Sequence, residues 1–171
     1  MTPRLLLTTA LAVSLFTTAQ AGDLTVSNLT FKIEAPWTEV PTTSPMRAGT
    51  AQFTVEGTDT KLDAVFYYFG AGQGGDTQAN IARWLSQFES PPKSRQEELA
   101  AGDKKVTLVI ADGTYLDGPP FGGAKTPRAD WTLLGAIVPA EDANIFIKLT
   151  GPKDAVSKAL DSFKKLVTSP F

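Results

Sequence analysis

The residues with most capacity for chemistry lie between Gly70 and Arg83. Gly70, Gly72 and Gly75 match G-x-G-x-x-G. Between a strand and a helix, that spacing lets backbone N–H groups cradle a pyrophosphate. The same glycines equally suit a plain strand-to-helix turn that needs positive φ. The plain turn is preferred, since a lone glycine motif is weakly specific and no second βαβ unit follows. A P-loop fits worse: Asp76-Thr77 follows Gly75, so an acid stands where the phosphate-binding lysine belongs.

The candidate ligand-binding residues are Gly72, Gln73, Gly74, Gly75, Asn80 and Arg83. Tyr115 and Arg128 join them from the glycine- and proline-rich segment 113–130. Arg83 or Arg128 can grip a carboxylate bidentately, although both can also be simply solvated. Asp76, Glu89, Asp112, Asp117 and Asp130 are the acids available to a carboxylate-based hydrolase. Nothing in their spacing pairs them, and Asp76 is better placed as a helix cap. No catalytic residue is therefore assigned.

Two absences narrow the chemistry. The chain has no histidine and no cysteine. Ser-His-Asp and Cys-His machinery and His/Cys zinc sites are thereby excluded. An oxygen-ligand calcium site is compatible with the composition, but no Asp-x-Asp-x-Asp loop occurs. No metal and no cofactor are expected. Thermal melts should coincide with and without chelator or reductant, and change little between about pH 6 and 8.

The elements that position these residues follow from patterning. Residues 62–69 are aromatic and β-branched and end at Gly70, which reads as a strand. Asp76 caps a helix whose buried face is Ile81, Trp84, Leu85 and Phe88, at i, i+3, i+4 and i+7. Asn80, Arg83 and Gln87 fall on its flanks or opposite side. Pro91-Pro92 stop it. Leu29, Phe31 and Ile33 alternate with polar residues, as do Ala51, Phe53 and Val55. These two one-sided strands and the 62–69 strand predict an antiparallel meander. Residues 35–46 read as a loop.

Gly102-Asp103 suits a hairpin turn between an edge strand and residues 104–111. Residues 113–128 read as a long irregular loop, because of their glycines and prolines. Loops of that length are often functional. Trp131–Val138 and Ile145–Leu149 are two further strands, joined by a hairpin at 139–144. Pro152 opens a final helix with an apolar stripe of Val156, Ala159, Leu160, Phe163, Leu166 and Val167. Lys158, Lys164 and Lys165 face solvent on that reading. The total is an α+β fold. An antiparallel sheet of about six or seven strands is sandwiched between helices, since strands apolar on both faces need a layer on each.

The run Phe69, Gly70, Ala71, Gly72, Gln73, Gly74, Gly75, Asp76, with Asn80-Ile81-Ala82-Arg83-Trp84-Leu85-Ser86-Gln87-Phe88, resembles a family of small exported bacterial proteins. Ala35-Pro36-Trp37, Ser44-Pro45-Met46-Arg47-Ala48 and Leu134–Val138 fit it too. The resemblance covers most of the chain after residue 21 and implies no known activity. More distantly, the layout resembles PsbP-like domains. They imply an antiparallel sheet between helices, with a final helix after a strand ending in Gly-Pro, here Gly151-Pro152.

Residues 1–21 read as a secretory signal peptide. Arg4 supplies the charge, Leu5 to Phe16 the apolar core, and Ala19-Gln20-Ala21 the cleavage signature. The core is too short to span a membrane, and no later run is long enough. Residues 22–171 then form a single domain with 15 basic against 18 acidic residues, once Arg4 is removed. That balance carries no footprint for nucleic acid or an anionic membrane. The expected address is the periplasm or the extracellular medium, in soluble form. The favoured function is a non-enzymatic binding or envelope-assembly module for a protein or small molecule of the cell envelope. The alternatives are a purely structural or interaction role and, less favoured, a carboxylate-based hydrolase.

Overall fold

The computed structural model describes residues 22–42, 44–119 and 122–171. The segment read as a signal peptide lies outside them. The elements in chain order are β1 (Gly22–Val26), β2 (Leu29–Ile33), β3 (Trp37–Glu39), β4 (Gly49–Thr54), β5 (Lys61–Tyr67) and α1 (Thr77–Leu85). They continue with β6 (Lys93–Ala101), β7 (Lys104–Asp117), β8 (Thr126–Pro139), β9 (Asn144–Pro152) and α2 (Lys153–Thr168). Among the described residues, seven strands form one antiparallel sheet in the order β3-β4-β5-β9-β8-β7-β6. β1 and β2 form a separate hairpin.

Alternation along the strands separates two apolar layers. Phe66, Leu108, Leu134, Ile147 and Leu149 point to the face covered by α2 and the β1–β2 hairpin. Phe31 of β2 meets Phe66 edge-on at 5.0 Å there. Val109, Ala111, Leu133, Ile137 and Phe146 point to the other face, where Ile81 and Trp84 of α1 cover them. The sheet is thus sandwiched between helices, as patterning predicts.

Three expectations need correction. The meander is β3-β4-β5. β2 pairs with β1 instead of β4, and neither β1 nor β3 is foreseen by the sequence reading. The segment 113–128 is mostly regular structure. Asp117 pairs with Thr126, Leu116 with Pro127 and Tyr115 with Arg128, with a bulge between Gly113 and Tyr115. The bulge absorbs the glycine locally, and the ladder continues past it. Finally, α1 stops at Leu85. Phe88 lies beyond the helix, bridged to Tyr115, and still reaches the α1-side core.

One feature of the sheet bears on function. The β5–β9 ladder is confined to Val65↔Lys148, Phe66↔Ile147 and Tyr67↔Phe146. Past Lys148 the ladder ends, and this end of the β5–β9 pairing forms the fork. Leu62 packs against Gly151 beyond it on the α2 side, where a Cβ on Gly151 would come 2.5 Å from its Cδ2. The α1 face at this fork carries Lys148.

Candidate functional site

The glycine turn is built and closed by its own neighbours. Gly74 has φ +93, and a Cβ there would lie 2.7 Å from the Phe146 ring, so both conformation and space demand glycine. The Gly72 N–H donates to the Asp142 carbonyl at 3.0 Å, and the Gln73 N–H to the Gly70 carbonyl at 3.0 Å. The Tyr68 hydroxyl donates to the Asp142 carboxylate at 3.0 Å. These bonds tie the turn to the β8–β9 hairpin.

Asp76 is the N-cap of α1, its Oδ1 accepting from the Ala79 N–H at 2.8 Å. The amides of Gly72, Gln73 and Ala79 are therefore occupied, and a carboxylate guards the helix N-terminus. This arrangement suits a structural turn and not a pyrophosphate cradle.

Asn80 departs from its expected place on the helix flank, being only 1% exposed. Its Nδ2 donates to the Gly74 carbonyl at 2.7 Å and to the Asp76 carbonyl at 2.8 Å, while its Oδ1 accepts from Arg83. It works as a clasp between turn and helix. Asn80→Ala is expected to lower stability by about 1–3 kcal/mol, because the partly buried Gly74 carbonyl loses its donor and the turn loses its clasp to the helix. Urea titration measures this, and an unchanged midpoint would show that water replaces the amide at no cost.

Tyr115 and Arg128 lie elsewhere. The β8–β9 hairpin and the segment joining β7 to β8 are at opposite ends of β8. The glycine turn therefore does not converge with the 118–125 segment. Arg128 pairs with Asp117 at 3.4 Å and lies 5.9 Å from the Trp131 ring centroid. Tyr115 stacks on Trp131 at 5.9 Å and meets Phe88 edge-on at 5.4 Å. Asp112 is similarly committed: it accepts from Thr132 and pairs with Lys153 at 3.3 Å. Among the described residues no group of three acids could hold a metal.

A second cluster sits at the fork of the sheet. Lys148 is half-buried on the α1 face. Its Nζ donates to Gln87 Oε1 at 3.0 Å and to the Tyr115 hydroxyl at 3.2 Å, and the same hydroxyl donates to Gln87 Oε1 at 2.9 Å. Nζ also lies 5.7 Å from the Tyr115 ring centroid. Gln87 is held in place by its backbone, whose carbonyl accepts from the Leu116 N–H at 2.9 Å.

Burial first, then Lys125, Arg47 and Arg83, bring the Lys148 pKa down to about 8 against a weaker opposing pull from Asp117. Burial chiefly, then Asp117 and Tyr67, push Tyr115 up to about 12. Burial also raises Tyr67, partly offset by Arg47. A chain without histidine therefore carries a group that titrates not far above neutrality.

The sequence reading does not single out Lys148, Gln87, Tyr67 or Arg47. One signal is present: Ile145-Phe146-Ile147-Lys148-Leu149 places a lone charge inside a strand apolar on both faces.

Lys148 and Tyr115 set the pH dependence of stability. The Lys148 pKa is about 8 when folded, against about 10.4 unfolded. Between these values the unfolded chain holds the extra proton, so stability rises with pH. Tyr115 has the opposite sign: about 12 when folded, against about 10 unfolded. Above pH ~10 the unfolded chain releases its proton first, and stability falls. Urea titrations across the alkaline range should show a maximum near pH ~10, with a rising limb of about 2–3 kcal/mol. Lys148→Met should flatten that limb; its persistence would assign it to other groups.

Two openings lie on the α2 side. One of about 190 Å³ is bordered by Lys32, Trp37, Ser162 and Leu166. Another of about 140 Å³ is bordered by Arg95, Asp112, Thr132 and Lys153. Neither includes a residue of the glycine turn or of the Lys148 cluster.

No family model and no curated protein matches the chain. Among solved structures, it is similar to the solution structure of cyanobacterial PsbP (CyanoP) from Synechocystis sp. PCC 6803. The two are 12% identical, the match covers 93% of this chain and 95% of that one, and the TM-score is 0.50. The likeness bears on the fold alone: an α+β domain with a PsbP-like antiparallel sheet. Among the described residues no helix is long and apolar enough to cross a membrane.

Proposed function

We propose that residues 22–171 form a non-enzymatic binding module. It is exported to the periplasm or the extracellular medium and takes a small molecule or partner protein of the cell envelope. The observation that carries this reading is the Lys148, Gln87 and Tyr115 cluster on the α1 face. A half-buried ammonium held only by neutral groups keeps part of its desolvation cost, which an anion from outside the fold would offset. The PsbP-like fold is compatible with a module of this kind. The absence of histidine and cysteine and the commitment of Asp76, Asp112 and Asp117 to structural contacts weigh against a carboxylate-based hydrolase.

The direct test exposes the purified domain to envelope extract and identifies retained proteins and small molecules by mass spectrometry. A species retained by the wild type and lost with Lys148→Met is expected. Retention of nothing, or of the same species by both, would overturn the reading. Export has its own test: N-terminal sequencing of the mature protein should begin at Gly22. A mature chain that keeps Leu5 to Phe16 would remove the localisation.

A further inference from the structure

We infer that the fork between β5 and β9 is an oxyanion site, in which the Lys148 ammonium receives a carboxylate or phosphate group on the α1 face. The inference rests on the binding-module reading and names the class of ligand.

Charge balance carries the argument. None of the described ion pairs includes Lys148, Arg47, Arg83 or Lys125. Four cations thus influence one place without a paired carboxylate. Arg47, Arg83 and Lys125 are exposed, and all three act electrostatically on Lys148. Asp117 is the one acid among the named influences on Lys148, and it already pairs with Arg128. Elsewhere Lys32 pairs with Asp23, Lys105 with Glu98, Lys153 with Asp112 and Lys164 with Glu97, while Lys61, Lys93, Lys158 and Lys165 join none of the described ion pairs but are exposed to water. Among the described residues, Lys148 differs in being half-buried with no carboxylate in an ion pair to it, in a chain whose acidic residues outnumber its basic ones.

Hydrogen bonding agrees. An ammonium has three donors. Two are used, on Gln87 and Tyr115, which aim the group and leave one N–H for a ligand. Gln87 Oε1 and the Tyr115 hydroxyl hold Lys148 without neutralising it. A carboxylate in place of Gln87 would have completed an internal pair. Arg47, Arg83 and Lys125, which act electrostatically on Lys148, would add attraction for a diffusing anion, an effect weakened by salt. An anion at Nζ favours its protonated form, so binding near pH 8 takes up a fraction of a proton. The groups that bear on this titration are Arg47, Tyr67, Arg83, Gln87, Tyr115, Asp117 and Lys125.

Calorimetric titration of residues 22–171 with inorganic phosphate, and separately with benzoate, tests the site in a chloride buffer. Saturable binding of at least one probe is expected, with proton uptake near pH 8 and affinity falling as pH rises beyond it. Tighter phosphate binding assigns a phosphoryl group, and tighter benzoate binding a carboxylate. Lys148→Met should weaken binding about tenfold or more. Arg47→Gln, an exposed change that leaves the fold alone, should weaken it several-fold. Lys105→Gln, an exposed change on β7 whose partner is Glu98, should leave it unchanged. No saturation by about 10 mM of either probe, or equal binding by Lys148→Met, overturns the inference. If that happens while envelope extract still yields a ligand lost with Lys148→Met, only the oxyanion assignment falls. If the extract yields none either, the binding module falls with it.

Discussion

Trp84→Ala is expected to destabilise the domain by about 3–5 kcal/mol. Trp84 is 4% exposed and lies across β8 at Gly135. A Cβ at that position would come within 2.4 Å of the indole, so the glycine is the floor on which the ring rests. Phe146 meets the ring edge-on at 6.4 Å. α1 has only nine residues, too few to hold a helix alone in water. Its attachment depends on Ile81, Trp84 and the Asn80 clasp, and removing the largest of these leaves a cavity between helix and sheet. Gly135→Ala probes the same contact from below and should cost about 1–3 kcal/mol through overpacking. The two losses should not add, because alanine at 84 vacates the space that alanine at 135 needs. Urea titration of the two single variants and the double variant measures both claims. A loss below about 1 kcal/mol for Trp84→Ala would mean that α1 is not anchored by its indole.

The contrast between Trp84 and its neighbours shows where sequence is legible. The 3.6-residue period identifies Ile81 and Trp84 because burial of a helix face leaves a repeating record. Asn80 leaves none. Its burial follows from capping two carbonyls of the preceding turn, a bond that exists only once Gly74 has adopted positive φ. Strand alternation identifies β2 and β4 in the same way, aromatic and β-branched composition identifies β5, and the Asp76 cap follows from residue type.

The β7–β8 hairpin is misread because local propensity and long-range pairing disagree. Gly113, Gly118 and Pro127 argue for a loop. The ladder nevertheless runs to Asp117↔Thr126, stabilised by Tyr115 on Trp131, two residues whose meeting depends on register. β3 is three residues long after a proline, too short for any period to register. Lys148 is a lone charge in the sequence, and its bonds to Gln87 and Tyr115 exist only once the fold brings these residues together.

Phe163→Ala should cost a comparable amount on the opposite face, about 3–5 kcal/mol. Phe163 is fully buried in α2. Ala159, Leu166 and Val167, at i−4, i+3 and i+4, complete its stripe. Its ring lies 6.4 Å from Trp37, and α2 binds the β1–β2 hairpin as well as the sheet, through the Lys32 N–H donating to Ser169 Oγ at 2.9 Å. Loss of the phenyl ring therefore loosens three layers at once.

Relief is available nearby, because the 190 Å³ opening beside Trp37 and Leu166 gives the cavity a wall that can collapse. That places the expected value toward the lower end of the range. The sheet lies between Phe163 and Lys148, and successive side chains of β9 point to opposite faces. Phe163→Ala should then reduce the urea midpoint while phosphate or benzoate binding per folded molecule stays as in the wild type. Trp84→Ala should weaken both, since Gln87 follows directly from α1. Equal loss of binding in the two variants would show that the fork is not insulated from the α2 layer.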